Sequence, residues 1–352
     1  MTVHRPMFLL FLLVLLCCQS RSHQVDQLFQ IYNQPNAPGA AIMVIKNGKP
    51  ILKKTYGLAN IETATPVTSN TNFRLASVTK QFTALCILML IEKQLLSLDQ
   101  TLTDIFPDFP AYGQKITVRH LLTHTSGLID YEDLIPDSAT VQVLDRDVLR
   151  MMKAQDSTYF EPGTQYRYSN SGYAVLAMIV EKVSGQSFAT FLKSRIFDPL
   201  GMSGTVAFEN GVSEVTHRAY GYASENGAFV FRDQSLTSAV LGDGGIYSSI
   251  EDLFKWDQAL YTHRLVDTTT LALAFTPAVL SDGTPLDYGF GWRIDSYRGH
   301  RRLHHTGQTC GFTTIIQRYP EIHFSIIILT NRHEPMLTDL ANAVADLYIS
   351  QQ

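Results

Sequence analysis

A chain of 352 residues, 45% of them hydrophobic, can bury a large core as one domain or two. Its formal net charge of −4 leaves no broad basic excess to neutralise phosphates, which argues against a nucleic-acid partner. The local exception is Arg298-Gly-His-Arg-Arg302, read as a solvated hairpin tip in preference to a basic rim for an acidic substrate.

The N-terminus opens with an apolar run from Met7 to Leu16, preceded by His4 and Arg5. The run is too short to span a bilayer and matches the h-region of a secretory signal, with cleavage after Ser20 or Ser22. Residues 1–22 are therefore expected to be a signal peptide, and the mature chain to be periplasmic or extracellular. A lipid anchor at Cys17 or Cys18 is the minority reading, because Leu16 stands where lipoprotein processing prefers a small side chain. No later segment is long and apolar enough for a membrane helix. Cys86 and Cys310 are expected to act as small buried hydrophobes, with no bridge required.

Gln24 to Tyr32 reads as a short amphipathic helix, and Ala40–Ile45 and Pro50–Tyr56 as strands around an Asn47-Gly48 hairpin turn. Phe73 to Leu96 reads as one helix, apolar on every side from Ala84 to Ile91 and so buried at a domain centre. Helical patterns follow at Val118–Thr123, Asp145–Ala154, Gly172–Val183 and Phe188–Phe197, separated by loops with Pro107, Pro110, Pro136 and Pro162. The final third turns to strands at Tyr288–Ile294, Arg302–His305, Thr313–Arg318 and Phe324–Leu329, with helices at Ser249–Tyr261 and Met336–Tyr348. Strands at both ends with helices between predict an α/β (α+β) fold, one sheet built from both termini around a helical insertion. Residues 23–352 are expected to form a single unit, with sheet regions near 23–75 and 225–352 and a helical region near 76–224.

Chemistry concentrates in three stretches. Ser77-Val-Thr-Lys80 places a lysine three residues after a serine, a spacing that puts both on one helical face with Cβ atoms roughly 5–6 Å apart. Tyr168-Ser-Asn170 and His305-Thr-Gly307 follow in the order that this chemistry requires. Each stretch alone is common, and a solvated lysine beside a helix-start serine is the ordinary reading of an isolated pair. No other lysine in the chain has serine three residues before it.

Together these stretches resemble the serine β-lactamase and penicillin-recognising superfamily, in its class C-like branch of β-lactamases, DD-peptidases, D-aminopeptidases and esterases. His120-Leu-Leu-Thr-His-Thr-Ser-Gly-Leu128, Glu161-Pro-Gly163, Asp198-Pro-Leu-Gly-Met202, Gly244-Gly245 and Tyr288-Gly-Phe-Gly-Trp292 look like recurring segments of that branch. The resemblance implies a β-lactamase-like fold, an antiparallel sheet flanked by helices. It also implies Ser77 as nucleophile, Lys80 and Tyr168 as a coupled base and proton shuttle, and Asn170 as a partner of Lys80 and of the substrate carbonyl. His305 and Thr306 would offer donors to substrate, Gly307 would let the substrate backbone lie close, and the backbone N–H groups of Ser77 and Gln308 would form an oxyanion hole. Histidine at 305 replaces the lysine of class C β-lactamases, which favours the peptidase and esterase members.

Ser224-Glu-Asn226 fits the same Ser-x-Asn form but precedes a glycine and suits a turn. His120 and His124 have a spacing that metals use, yet no third ligand is recognisable, so neither metal nor cofactor is expected. His304 should point to the strand face opposite His305, Trp256 and Trp292 are expected in the core, and Gly242-Asp-Gly-Gly245 lacks the spacing of a phosphate loop. The expected activity is a secreted serine hydrolase acting on a small-molecule or peptide amide or ester. A class C-like β-lactamase is the alternative, and a non-catalytic sensor or scaffold with the same fold is the outlier.

Overall fold

Asn47 and Gly48 both adopt positive φ, +51° and +74°. They close a two-residue hairpin between β1 (Ala40–Lys46) and β2 (Lys49–Tyr56). In the computed structural model, which describes residues 21–349, this hairpin joins four C-terminal strands. These are β3 (Arg293–Tyr297), β4 (His300–Thr309), β5 (Phe312–Tyr319) and β6 (Phe324–Thr330). The strand order is β3-β4-β5-β6-β1-β2, antiparallel throughout, with Ala40 of β1 opposite Thr330 of β6. Both ends of the chain thus supply one sheet, as the strand pattern predicts. The apolar run Met7–Leu16 and the Cys17-Cys18 pair lie outside the described residues.

Alternation along the strands splits the core in two. Ala41, Met43, Ile316 and Ile327 face the helical region, while Ala40, Ile42, Ile315 and Ile328 face a smaller layer. That layer comprises residues of the helical segment 21–28, Phe29, and α6 (Thr338–Tyr348). The helical region centres on α1 (Lys80–Glu92), buried at every position from Lys80 to Leu90. Around it lie α2 (Asp145–Lys153), α3 (Asn170–Ser184), the single turn α4 (Leu241–Gly244) and α5 (Ile250–Ala259). Phe82 of α1 stacks on Trp256 of α5 at 4.1 Å, and Trp292 is buried in the same core.

Three expectations need correction. Phe73–Leu96 is not one helix: Phe73–Arg74 pairs with Ile246–Ser248, a 3-10 turn spans Ala76–Thr79, and only then does α1 begin. Tyr288–Ile294 is mostly loop, because Tyr288, Phe290 and Trp292 are buried as core side chains and ladder pairing starts at Arg293. Phe188–Phe197 divides into an α turn, Phe188–Leu192, and a π turn, Lys193–Phe197. The basic stretch 298–302 forms a hairpin only at Arg298 and Gly299. Arg298 donates to both Asp346 oxygens at 2.8 Å, and Arg302 is paired with Asp295, so neither is free for a substrate. Cys86 is buried, Cys310 is half-buried at the β4–β5 turn, and both are free thiols. Among the described residues no single helix is long and apolar enough to cross a membrane.

Candidate active site

Leu75 leaves the short strand with its N–H bonded to Ile246 O at 2.8 Å, and Ala76 then takes φ +49°. This left-handed conformation costs a non-glycine residue roughly 1–2 kcal/mol. It turns the chain so that half-buried Ser77 stands at the rim while Lys80, one turn later, is fully buried. Lys80 Nζ lies 3.1 Å from Ser77 Oγ, 2.8 Å from Asn170 Oδ1 and 2.9 Å from Asp243 O. The amide and carbonyl oxygens can only accept, so two N–H groups of the amine are committed to them. The remaining corner of the amine faces Ser77 Oγ, which can either accept or donate.

Asn170 opens α3, but the helix cap is Ser169, whose Oγ accepts from Gly172 N at 3.1 Å. The Asn170 side chain is thereby released to the site, and its Nδ2 donates to Glu132 Oε1 at 2.7 Å. Asp243 reaches Lys80 because α4 wedges tightly between helices. A Cβ on Gly242 would lie 2.4 Å from Tyr173 O and 2.7 Å from Ala177 Cβ. Asp145 of α2 anchors the wedge by accepting from Leu241 N at 2.8 Å and Gly242 N at 2.9 Å. Burial raises both the Asp145 and the Asp243 carboxyls to about 7. Tyr131 OH donates to Asp243 Oδ2 at 3.1 Å.

On β4 the structure revises several roles. His305 Nδ1 lies 2.6 Å from Thr306 O, an acceptor only, so this nitrogen carries the proton. Nε2 then accepts from Tyr288 OH at 3.0 Å. Burial, with Lys80 and Arg293 nearby, holds the ring well below the usual histidine range. His305 is 1% exposed, uncharged and fully engaged, so it is not the substrate donor that its motif suggests. Thr306 pairs with Ile315, on the strand face opposite His305 and Gly307, and its hydroxyl is therefore not directed at Ser77. Gly307 serves the protein and not the substrate: a Cβ there would meet Leu75 O at 2.2 Å, Thr314 Oγ1 at 2.5 Å and Ser77 N at 3.0 Å. Only glycine lets β4 lie against the Ser77 turn. Gln308 follows at the rim, its side chain turned away to donate to His333 O at 2.8 Å.

Tyr168 stands beside the amine without bonding to it. Lys80 Nζ is 5.0 Å from the ring centroid, and the buried hydroxyl makes no protein hydrogen bond. The ring packs at 4.3 Å against His124 and presents its face to the amine, so the phenol makes no hydrogen bond to Ser77. His124 accepts from Ser169 N at 3.1 Å through Nδ1, and His120 Nδ1 accepts from Thr117 N at 3.3 Å in a capping box, so each has a structural use. Among the described residues no group of three His, Cys, Asp or Glu side chains is arranged to hold a metal ion. His304 pairs with Asp295 at 3.3 Å, away from the site, and Asn226 and Gly227 form a hairpin turn.

A cleft opens beside Ser77, lined by Glu132, Asn170, Asp243, Gln308 and Thr309 among others. Arg74 also borders it, but is 1% exposed and donates from Nε to Tyr247 OH, from Nη1 to Ser238 O and from Nη2 to Gln234 Oε1. Glu132, Asp243 and Tyr288 escape motif reading. The last two lie inside segments the sequence does mark, Gly242–Gly245 and Tyr288–Trp292, but Glu132 carries no local signal.

The β-lactamase family model matches residues 25–350. A penicillin-binding protein of Bacillus subtilis (strain 168) is 34% identical over 332 residues, 90% of this chain and 73% of that protein. A D-aminopeptidase of Gluconobacter oxydans is 29% identical over 84% of this chain, which spans only 56% of that relative's length. Among solved structures, a penicillin-binding protein from Bacillus halodurans superimposes with a TM-score of 0.77 at 28% identity, covering 92% of this chain and 97% of that one. An octameric penicillin-binding protein homologue from Pyrococcus abyssi gives 0.79 at 27% identity, covering 94% and 76%.

Proposed function

The chain belongs to the β-lactamase family and is a serine hydrolase of that type, and we propose that it is an exported enzyme cleaving an amide or ester through an acyl-Ser77 intermediate. The observation that carries this reading is the Lys80 amine, held by two acceptor-only oxygens with its third corner on Ser77 Oγ. With a lone pair at that corner, Lys80 takes the Ser77 proton as Oγ attacks the substrate carbonyl carbon. The resulting oxyanion would be held by the N–H groups of Ser77 and Gln308, each such donor contributing ~3–4 kcal/mol. Collapse expels the leaving group, which receives the proton from Lys80, directly or through Tyr168. The Tyr168 hydroxyl breaks no protein hydrogen bond when it moves. Water then attacks the acyl ester, with the same amine as base, and regenerates Ser77.

A β-lactamase reading is weaker, because uncharged, enclosed His305 supplies no positive charge to a β-lactam carboxylate. Peptides or amides of D-amino acids, in keeping with the D-aminopeptidase activity named for one relative, and small esters remain the favoured substrates. The test is hydrolysis of p-nitrophenyl acetate by the wild type and by Ser77→Ala. Loss of turnover in the variant is expected, and turnover within threefold of wild type would refute the assignment.

A further inference from the structure

One residue, His124, holds Tyr168 from three directions. His124 O accepts from Arg167 N at 2.9 Å and His124 Nδ1 accepts from Ser169 N at 3.1 Å, so the residues on both sides of Tyr168 are tied to it. Its imidazole then packs on the Tyr168 ring at 4.3 Å, and Lys80 Nζ lies 5.0 Å from the centroid of that same ring. We propose that His124 is a positioning residue for proton delivery to the leaving group. It keeps Tyr168 beside Lys80, so its loss impairs substrates whose leaving group must be protonated and spares those whose leaving group departs as a stable anion. This rests on the acyl-Ser77 reading above.

Three observations separate this role from packing alone. His124 takes φ +58°, a left-handed conformation that a non-glycine residue adopts at a cost and keeps only where its surroundings fix it. Burial, with Lys80 and Arg293 nearby, holds the ring well below the usual histidine range, so it is uncharged and Nδ1 can accept from Ser169 N. The ring proton therefore sits on Nε2, which is buried without a protein hydrogen bond, whereas a histidine kept for the core alone is expected to satisfy both nitrogens. The Tyr168 hydroxyl also lacks a protein partner, so its ring contacts and backbone set where it stands. The chemistry makes that position count. When the tetrahedral adduct collapses, the bond from carbon to the leaving atom breaks and its electron pair goes to that atom. An alkoxide or an amine nitrogen takes a proton at this point from the Tyr168 hydroxyl, which regains one from the Lys80 ammonium formed when Ser77 was deprotonated. p-Nitrophenolate leaves without one.

The experiment measures kcat/KM for benzyl acetate and p-nitrophenyl acetate, which form the same acetyl-enzyme and differ in leaving group, in wild type, His124→Asn, His124→Phe and Tyr168→Phe. Asparagine suits the left-handed backbone and keeps an acceptor for Ser169 N while removing the ring; phenylalanine keeps a ring and removes the acceptor. In both His124 variants the ratio of p-nitrophenyl to benzyl ester should rise about 10- to 100-fold, the scale of a ~1 Å displacement of a reacting group. Tyr168→Phe should raise the ratio as well, and adding His124→Asn to it should change the ratio by less than threefold, because both act through one hydroxyl. Equal loss on the two esters, the mark of a purely structural role or of one exerted through Asn170, overturns the proposal. So does an unchanged ratio in the His124 variants, or a double variant in which the two effects multiply. Wild type that hydrolyses p-nitrophenyl acetate and leaves benzyl acetate intact would show that no leaving-group protonation operates, which overturns it while sparing acyl-Ser77 chemistry. Hydrolysis of p-nitrophenyl acetate at the wild-type rate by Ser77→Ala would overturn the acyl-Ser77 reading itself.

Discussion

Gly307→Ala probes the join between the sheet and the nucleophile. A new Cβ would sit 2.2 Å from Leu75 O and 2.5 Å from Thr314 Oγ1, with Ser77 N at 3.0 Å. Ordinary carbon–oxygen contact needs about 1 Å more than the shortest of these, so β4 and the Ser77 turn must separate by about that distance. Thr314 cannot yield freely, since its hydroxyl donates to Leu75 O at 2.7 Å. Overpacking of this kind costs ~1–3 kcal/mol of stability, and a ~1 Å displacement of reacting groups costs on the order of 100-fold in rate. Urea denaturation without ligand and kcat/KM on p-nitrophenyl acetate measure the two effects separately. Wild-type stability combined with a loss seen only in KM would mean that Gly307 makes room for substrate, as its motif suggests, and would refute the packing argument. Retention of both within threefold would refute the reported proximity altogether.

Other consequences follow from the same geometry. Asn170→Ala removes one of the two acceptors that orient Lys80 and one partner of Glu132, and should lower kcat by about 10- to 100-fold with the fold intact by circular dichroism; an unchanged kcat would show that Asp243 O alone suffices. Tyr168→Phe removes no protein hydrogen bond, so its melting temperature should match wild type or exceed it while kcat falls at least tenfold. A destabilised but fully active variant would contradict the shuttle role. Burial raises the Asp243 carboxyl to about 7 against about 3.9 in an unfolded chain, so between those values the folded state binds more protons. Stability from this group is therefore greatest at the acid end and declines as pH rises from about 4 to about 7. Asp243→Asn should flatten that decline in urea midpoints at pH 5 and pH 7.5, and an identical slope would argue against a charge change there.

Much of the fold is legible because it is local. The Asn47-Gly48 turn, the helix of apolar residues after Lys80 and the alternating C-terminal strands each carry their own pattern. What escapes is set by contacts distant in sequence. Nothing around Phe73 announces that this stretch pairs with Ile246–Ser248, so a strand and a left-handed Ala76 read as the start of a helix. The trio Ser77, Lys80 and Asn170 is recoverable from spacing and order, because side-chain reach imposes it. His305 is misleading for the opposite reason: its character depends on Tyr288, which lies across the β3–β4 hairpin and takes up its free nitrogen. Glu132 stands in the single 3-10 turn Tyr131–Leu134, too short to carry a periodicity, and only its contact with Asn170, 38 positions away, marks it.

The central claim is a covalent ester on one serine, and a trapped adduct addresses it directly. Trypsin cuts after Arg74 and Lys80, which isolates the peptide Leu75–Lys80 with Ser77 as its single serine. Incubation with a fluorescent penicillin, acid quench and peptide mapping by mass spectrometry should place the acyl mass on that peptide, and none on the Ser77→Ala protein. An adduct on any other peptide, or labelling that persists in Ser77→Ala, would contradict the account.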